Sequence, residues 1–377
     1  MHMAEQGNAA WGDRVARRAR VRGVLLGGAI GDALGNPVEF LSLGGIRRAH
    51  GEGGVRGPVA DADGVVGRIT DDTQMTLFTV EGLIRARARA RSKGIGGAEA
   101  ELVRNAYLRW LDTQNHPAPP VRGGTDTVRT GWLRQQPWLY ARRAPGNACL
   151  TGLAVGHVPV AGTPFEVPGP VNPQSKGCGT VMRSAPFGLL GEDAGTGFEL
   201  AARCAQITHG HPTGVYAAGA LAAIVTHLLA GDSLEGAVLR AMDLLARHRG
   251  HEETTAALRA AVDLAALGGP SAERVESLGA GWVAEEALAI AVYCALALPG
   301  ADDVGEALLL SVNHSGDSDS TGSVCGNLLG ARHGDVRLPA AWLARTEGRS
   351  VIAELADDLC LELEQPVAWP EGRYPEC

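Results

Sequence analysis

Apolar residues recur at three- and four-residue spacing along most of the chain, which is the period of a helix. Residues 13–34 open on charged positions and then carry apolar residues at 21, 24–26, 29–30 and 33–34. The pattern stops at Gly35, Asn36 and Pro37, where glycine and proline end a helix. Residues 72–91 read as a second helix with Thr70 placed to cap its start, and residues 98–112 as a third. Further helices are predicted at about 180–190, 197–208, 212–230, 233–248, 252–266, 282–297, 302–312, 320–332 and 349–363. Strand-like alternation is scarce, and residues 64–69 are the best candidate. No fixed repeat is present, so a solenoid is not expected. The pattern predicts a single compact all-α domain over residues 1–377.

The helical pattern lapses between residues 113 and 175. Glycine and proline dominate there, with one helix predicted at 125–133. This stretch reads as an insertion or long surface loop, and loops of such length are often functional.

Composition agrees with close helix packing. Of 377 residues 45% are hydrophobic but only 5% aromatic, and 52 are glycine. Small residues let helices approach closely, which favours a helical protein over a sheet. The net charge of −8 argues against a nucleic-acid partner. The basic run of Arg85, Arg87, Arg89, Arg91 and Lys93 reads as the solvated end of a helix. Seven cysteines, without a Cys-x-x-Cys pair, fit a reducing compartment. The apolar run from Val24 to Ile30 is too short to span a membrane. A soluble, cytoplasmic monomer is expected.

Two acidic clusters carry the candidate chemistry. Asp71 and Asp72 follow Thr70 at a helix start, where free amides and the dipole favour carboxylates with or without a metal. Asp317, Asp319 and Ser320 lie in the run from Gly316 to Gly322. That run imitates the start of a calcium loop, yet the twelfth position is Leu328 where a bidentate Glu is needed, so the calcium loop is rejected. Hard oxygen donors remain, suited to Mg2+ or Mn2+, as does a capped turn holding no ion. If the fold joins the clusters, mutual repulsion calls for a divalent ion. Glu39 is a third acid beside a helix broken by Gly and Pro.

Five stretches, residues 27–40, 70–73, 175–183, 208–212 and 316–322, together resemble the ADP-ribosylglycohydrolase family, in family order. The resemblance implies a compact orthogonal helical bundle and two Mg2+ or Mn2+ ions. Their ligands would be Thr70, Asp71, Asp72, Asp317, Asp319 and Ser320, with Ser320 where many relatives have Thr. Glu39 would be a ligand or a gate. Asp71, Asp72 and Glu39 are candidates for the base, and no single one is singled out. The turn of Gly177, Cys178, Gly179 and Thr180 would face the pyrophosphate, with His209 near the phosphates. His211 would only cap or pack, and His314 would be structural or lie behind Asp317.

The run from Gly279 to Ala284 matches a dinucleotide-binding pattern in letters, but no strand precedes it and that site is rejected. The resemblance places Trp282 beside adenosine; core packing is the other reading. The implied activity is hydrolysis of ADP-ribose from an acceptor, with arginine on a protein expected. O-linked or small-molecule ADP-ribose conjugates are alternatives, as is a silent ADP-ribose-binding relative. Acceptor specificity is expected to lie in residues 113–175 or 40–66.

Overall fold

A computed structural model describes residues 2–121, 123–365 and 367–376, with side chains from Gly12 onward. Its elements are helical: α1 (His2–Gly35), α2 (Leu43–His50), α3 (Asp71–Lys93), α4 (Glu99–Asn115) and α5 (Asn147–Val155) form the first half. The second half holds α6 (Ala194–Ala205), α7 (Pro212–Leu229), α8 (Leu234–Leu245), α9 (Glu252–Ala266) and α10 (Ala272–Glu276). It closes with α11 (Ala284–Ala297), α12 (Val304–Val312), α13 (Ser318–His333), α14 (Ala340–Leu343) and α15 (Arg349–Glu364). No strand is present among the described residues, only isolated bridges such as Ala60 to Val66.

The pairing of α1 with α13 is the most extensive helix contact, and glycine makes it possible. A Cβ on Gly23 would lie 2.5 Å from the Gly330 carbonyl oxygen, one on Gly27 2.4 Å from that of Gly326, and one on Gly31 1.9 Å from that of Gly322. Rising numbers on α1 meet falling numbers on α13, so the two helices are antiparallel. Gly35, at the end of α1, therefore abuts Ser318 at the start of α13. The backbones touch where any side chain would hold them apart.

Around this pair, α3 packs on α4, α6 and α8 on α7, and α9 on α11. One hydrophobic core runs from Val21 to Tyr374. By length and composition α7 is apolar enough to cross a membrane, but most of it is buried inside the fold. Pro212 in its first turn and the His211 side chain, which accepts the Thr213 amide at 3.2 Å, start that helix.

Three predicted elements do not form. At 125–133 the Asp126 carboxylate takes the Val128 and Arg129 amides at 2.9 and 3.0 Å, and a side-chain acceptor of this kind competes with helix bonding. Residues 180–190 form short 3-10 turns at Cys178–Thr180 and Ala185–Leu189, because Pro186 cannot donate inside a helix. Residues 64–69 curl as a loop, with the Asp61 carboxylate taking the Asp63 and Val65 amides at 2.9 Å each. Helices α2 and α5 had no signal in the sequence reading. The basic run is not wholly solvated either: Arg85 is fully buried against Glu81, and Arg91 pairs with Glu362.

Candidate active site and metal centre

The end of α1, the start of α3 and the start of α13 converge on one point. Thr70 caps α3, its hydroxyl accepting the Asp72 amide at 3.3 Å. This places Asp71 and Asp72 in the first turn, where the helix dipole is positive. The turn is anchored to α1 by Asp32, whose carboxylate accepts the Thr70 amide at 2.9 Å and the Thr73 amide at 3.1 Å. It is also anchored to the Gly/Pro-rich region, since the Asp71 amide donates to the Arg143 carbonyl at 3.2 Å. Across the gap, the Asp317 amide donates to the Ala280 carbonyl at 2.8 Å, in a contact so close that Gly316 admits no Cβ.

Carboxylate oxygens of Glu39, Asp317 and Asp319 lie within 4.8 Å of one another, and all three residues are buried. With Asp71, Asp72 and Ser320 they line a cavity of about 250 Å³. Burial, and then the charge of Asp319, raises the pKa of every neighbouring acid: Asp32 to about 7, Glu39 to about 10, and Asp71, Asp72 and Asp317 well above the usual carboxylate range. Asp72 Oδ1 and Asp317 Oδ2 are buried without a hydrogen-bond partner. Carboxylates packed like this need a cation. The donors are nearly all hard oxygen, as Mg2+ or Mn2+ requires. The residues fit a divalent metal.

The same cavity is lined by Gly177, Cys178, Gly179, His209 and Trp282. Thr70 and Thr180 do not line it. Thr180 is fully buried and donates its hydroxyl back to the Gly177 carbonyl at 3.1 Å, while Thr70 opens on the neighbouring cleft. Part of the glycine turn is already engaged, since the Cys178 amide donates to the Trp282 carbonyl at 3.1 Å. Burial, and then the charge of Asp317, pushes the Cys178 thiol well above its ordinary pKa, so it stays protonated in this lining.

His209 is held in a defined protonation state. Arg183, which can only donate, gives Nη2 to the Thr208 hydroxyl at 2.6 Å. The same hydroxyl pairs with His209 Nδ1 at 2.7 Å, and where it donates there the ring proton is left on Nε2. Burial and then the charge of Arg183 push the His209 pKa down to about 3. His209 is therefore a neutral imidazole beside the glycine turn, where a Cβ on Gly177 would lie 3.3 Å from Nε2.

Trp282 is not a core residue. It is 43% exposed and stacks on the exposed Phe40 with centroids 5.8 Å apart and ring planes at 24°. His211 serves as a cap, and His314 is fully buried with Nε2 2.9 Å from the Thr321 hydroxyl. Asp32 and Arg183 stand inside motifs noted in the sequence but had no role assigned there. Their signal was a buried charge within a site motif.

A profile of the ADP-ribosylglycohydrolase family matches residues 13–368. The chain belongs to the ADP-ribosylglycohydrolase family. It is thus a hydrolase of ADP-ribosyl bonds. Among curated relatives, the ADP-ribosyl-dinitrogen reductase glycohydrolase of Rhodospirillum rubrum is 26% identical over 334 residues, 87% of this chain and 90% of that protein. An ADP-ribosylarginine hydrolase of Pseudomonas putida is 24% identical over 345 residues, covering 90% of this chain and 77% of the relative. Among solved structures, one described as an ADP-ribosylglycohydrolase-related protein complex superposes with a TM-score of 0.63 at 25% identity. The match covers 92% of this chain and 99% of that one. The fold is that of the family, as the five motifs implied.

Proposed function

We propose that this glycohydrolase cleaves ADP-ribose from arginine side chains of a protein and depends on two divalent ions. One observation carries the metal: buried carboxylates within 4.8 Å of one another, beside orphaned oxygens of Asp72 and Asp317. Asp71 and Asp72 on one side and Asp317, Asp319 and Ser320 on the other would hold the ions. Thr70 would contribute from its cap, with Glu39 adjoining. Mg2+ or Mn2+ there would offset the negative charge, fix the ribose hydroxyls and make water more acidic.

The chain supplies the rest. Breaking the bond at the anomeric carbon builds positive charge on the sugar, and the surrounding carboxylates stabilise it. Asp71, Asp72 or Glu39 takes the proton of the attacking water. The neutral His209 donates Nε2–H to a phosphate oxygen, and the glycine turn lets the pyrophosphate come close. The continuous core from Val21 to Tyr374 supports reading the chain as one catalytic domain. The acceptor follows the relative above that is named an ADP-ribosylarginine hydrolase. Retention of every acid in the two clusters speaks against a silent binder.

The test is release of free ADP-ribose from arginine-ADP-ribosylated protein, with Mg2+ and with chelator. Magnesium-dependent release is expected. Intact ADP-ribose binding without release would overturn the hydrolase reading, and release only from O-linked conjugates would overturn the acceptor.

A further inference from the structure

A second cleft, of about 310 Å³, adjoins the acidic cavity and shares Glu39 and Ala144 with it. It is lined by Phe40, Asp61, Asp63 and Arg68, so residues from 40–66 meet the middle of the Gly/Pro-rich region there, at Arg142 to Ala144. Glu39 is only 6% exposed and lines both spaces, so its carboxylate, beside Asp317 and Asp319, marks the boundary between the acidic cavity and the cleft. Ala144 holds φ at +51°, a left-handed conformation that costs a non-glycine residue about 1–2 kcal/mol. Strain of this kind collects at functional sites.

The two aspartates differ in what they already hold. Asp61 is engaged by its own loop amides and by Arg68 Nε at 3.1 Å. Asp63 is exposed, and its carboxylate is held by a single partner, Arg68 Nη1. The cleft thus already shows a guanidinium bound between carboxylates, and it is the chain's own.

We propose that this cleft is the acceptor subsite and that Asp63 selects a guanidinium-linked acceptor, with Arg68 as the internal guanidinium the substrate displaces from it. The inference rests on the hydrolase reading above. Displacement is cheap, because an exposed ion pair contributes only about 0–1 kcal/mol and Arg68 keeps Asp61. A guanidinium presents a planar fork that matches a carboxylate, and it stacks on aromatic rings such as the exposed Phe40. A serine-linked acceptor has neither charge nor fork. Arg142 at the rim is exposed, and water and salt screen its repulsion.

The full chain with Mg2+ is assayed on arginine-linked and serine-linked ADP-ribosyl peptides, as wild type, Asp63→Asn and Arg68→Gln. The preference for arginine, as a ratio of kcat/KM values, is expected to fall about fivefold in Asp63→Asn, the size of one exposed charged contact. It is expected to rise in Arg68→Gln, an opposite sign that a merely structural role would not produce. An unchanged ratio in both variants overturns the subsite while leaving the hydrolase standing. A second readout needs no turnover: titration with N-acetyl-arginine amide, whose binding is expected to weaken in Asp63→Asn. If no conjugate is cleaved by the wild type, the hydrolase reading falls and this titration still decides the cleft, with equal binding by both proteins overturning it.

Discussion

The Asp32 carboxylate accepts the Thr70 amide at 2.9 Å, tying the last turns of α1 to the cap of α3. Because α1 is locked to α13 by its glycines, this bond sets the distance between the two acidic clusters. Asp32→Ala would orphan the buried Thr70 and Thr73 amides at about 1–3 kcal/mol each. With saturating Mg2+ the denaturant midpoint is expected to fall, and turnover to fall further than stability alone requires. A variant that unfolds less readily and keeps full activity would contradict the role of this tie.

The metal-free protein has a pH dependence of definite sign. Burial and Asp319 raise Asp32 to about 7 and Glu39 to about 10 in the fold, above their values in the unfolded chain. The stability this contributes is complete below about pH 4 and is lost as pH rises through about 7 and then about 10. Melting temperature in chelator should therefore drop from pH 5 to pH 9, and Mg2+ should oppose the drop. Asp319→Asn removes the charge that raises its neighbours. Without metal it should melt above the wild type at pH 8, yet gain nothing from Mg2+ and lose at least about 100-fold in turnover, since even residues behind metal ligands cost 10–100-fold. Normal magnesium stabilisation in Asp319→Asn would show the ligand assignment to be wrong.

Much of this site was legible in one dimension. The acids, the Thr70 cap and the glycine turn each stand in local patterns, and the structure brings Asp71, Asp72, Asp317, Asp319 and Glu39 to one cavity. What could not be read was who holds whom. Asp32 acts on the Thr70 and Thr73 amides and the Thr73 hydroxyl at the start of α3, a partnership between residues 38 and 41 positions apart that local periodicity does not register. Arg183 acts on His209 through Thr208, across 25 residues. The predicted helices at 125–133 and 180–190 fail because Asp126 and Pro186 act on the backbone locally, and periodicity does not register such effects. Residues 40–66 gave no chemical signal because Asp61 and Asp63 gain meaning only beside Arg68 and Glu39.

Glycine spacing in α1 allows a test within one helix. Gly31→Ala would put a methyl group 1.9 Å from the Gly322 carbonyl, so α1 and α13 must part. Overpacking of this kind costs about 1–3 kcal/mol or more. Gly12, also in α1, has nothing within 4 Å of its Cβ direction, so Gly12→Ala should stabilise by up to about 1 kcal/mol. Chemical denaturation of both variants reads the difference. Equal effects would mean that the α1–α13 contact is looser than the fold shows.

Trp282 separates stability from binding. The residue is 43% exposed and its stacking partner Phe40 is more solvent-facing still, so removing the ring orphans no core contact. Yet it lines the cavity that holds Asp72 and His209, and its carbonyl receives the Cys178 amide whatever its side chain. Trp282→Ala should thus keep the backbone link and shift the melting temperature little. If the ring stacks on the adenine of ADP-ribose, its loss should cost about 1–3 kcal/mol, or about 5- to 150-fold in ADP-ribose affinity by calorimetry. Ribose-5-phosphate, which lacks the base, should bind the variant and the wild type alike. A parallel loss for both ligands would assign Trp282 to shaping the Cys178 turn instead of to the base.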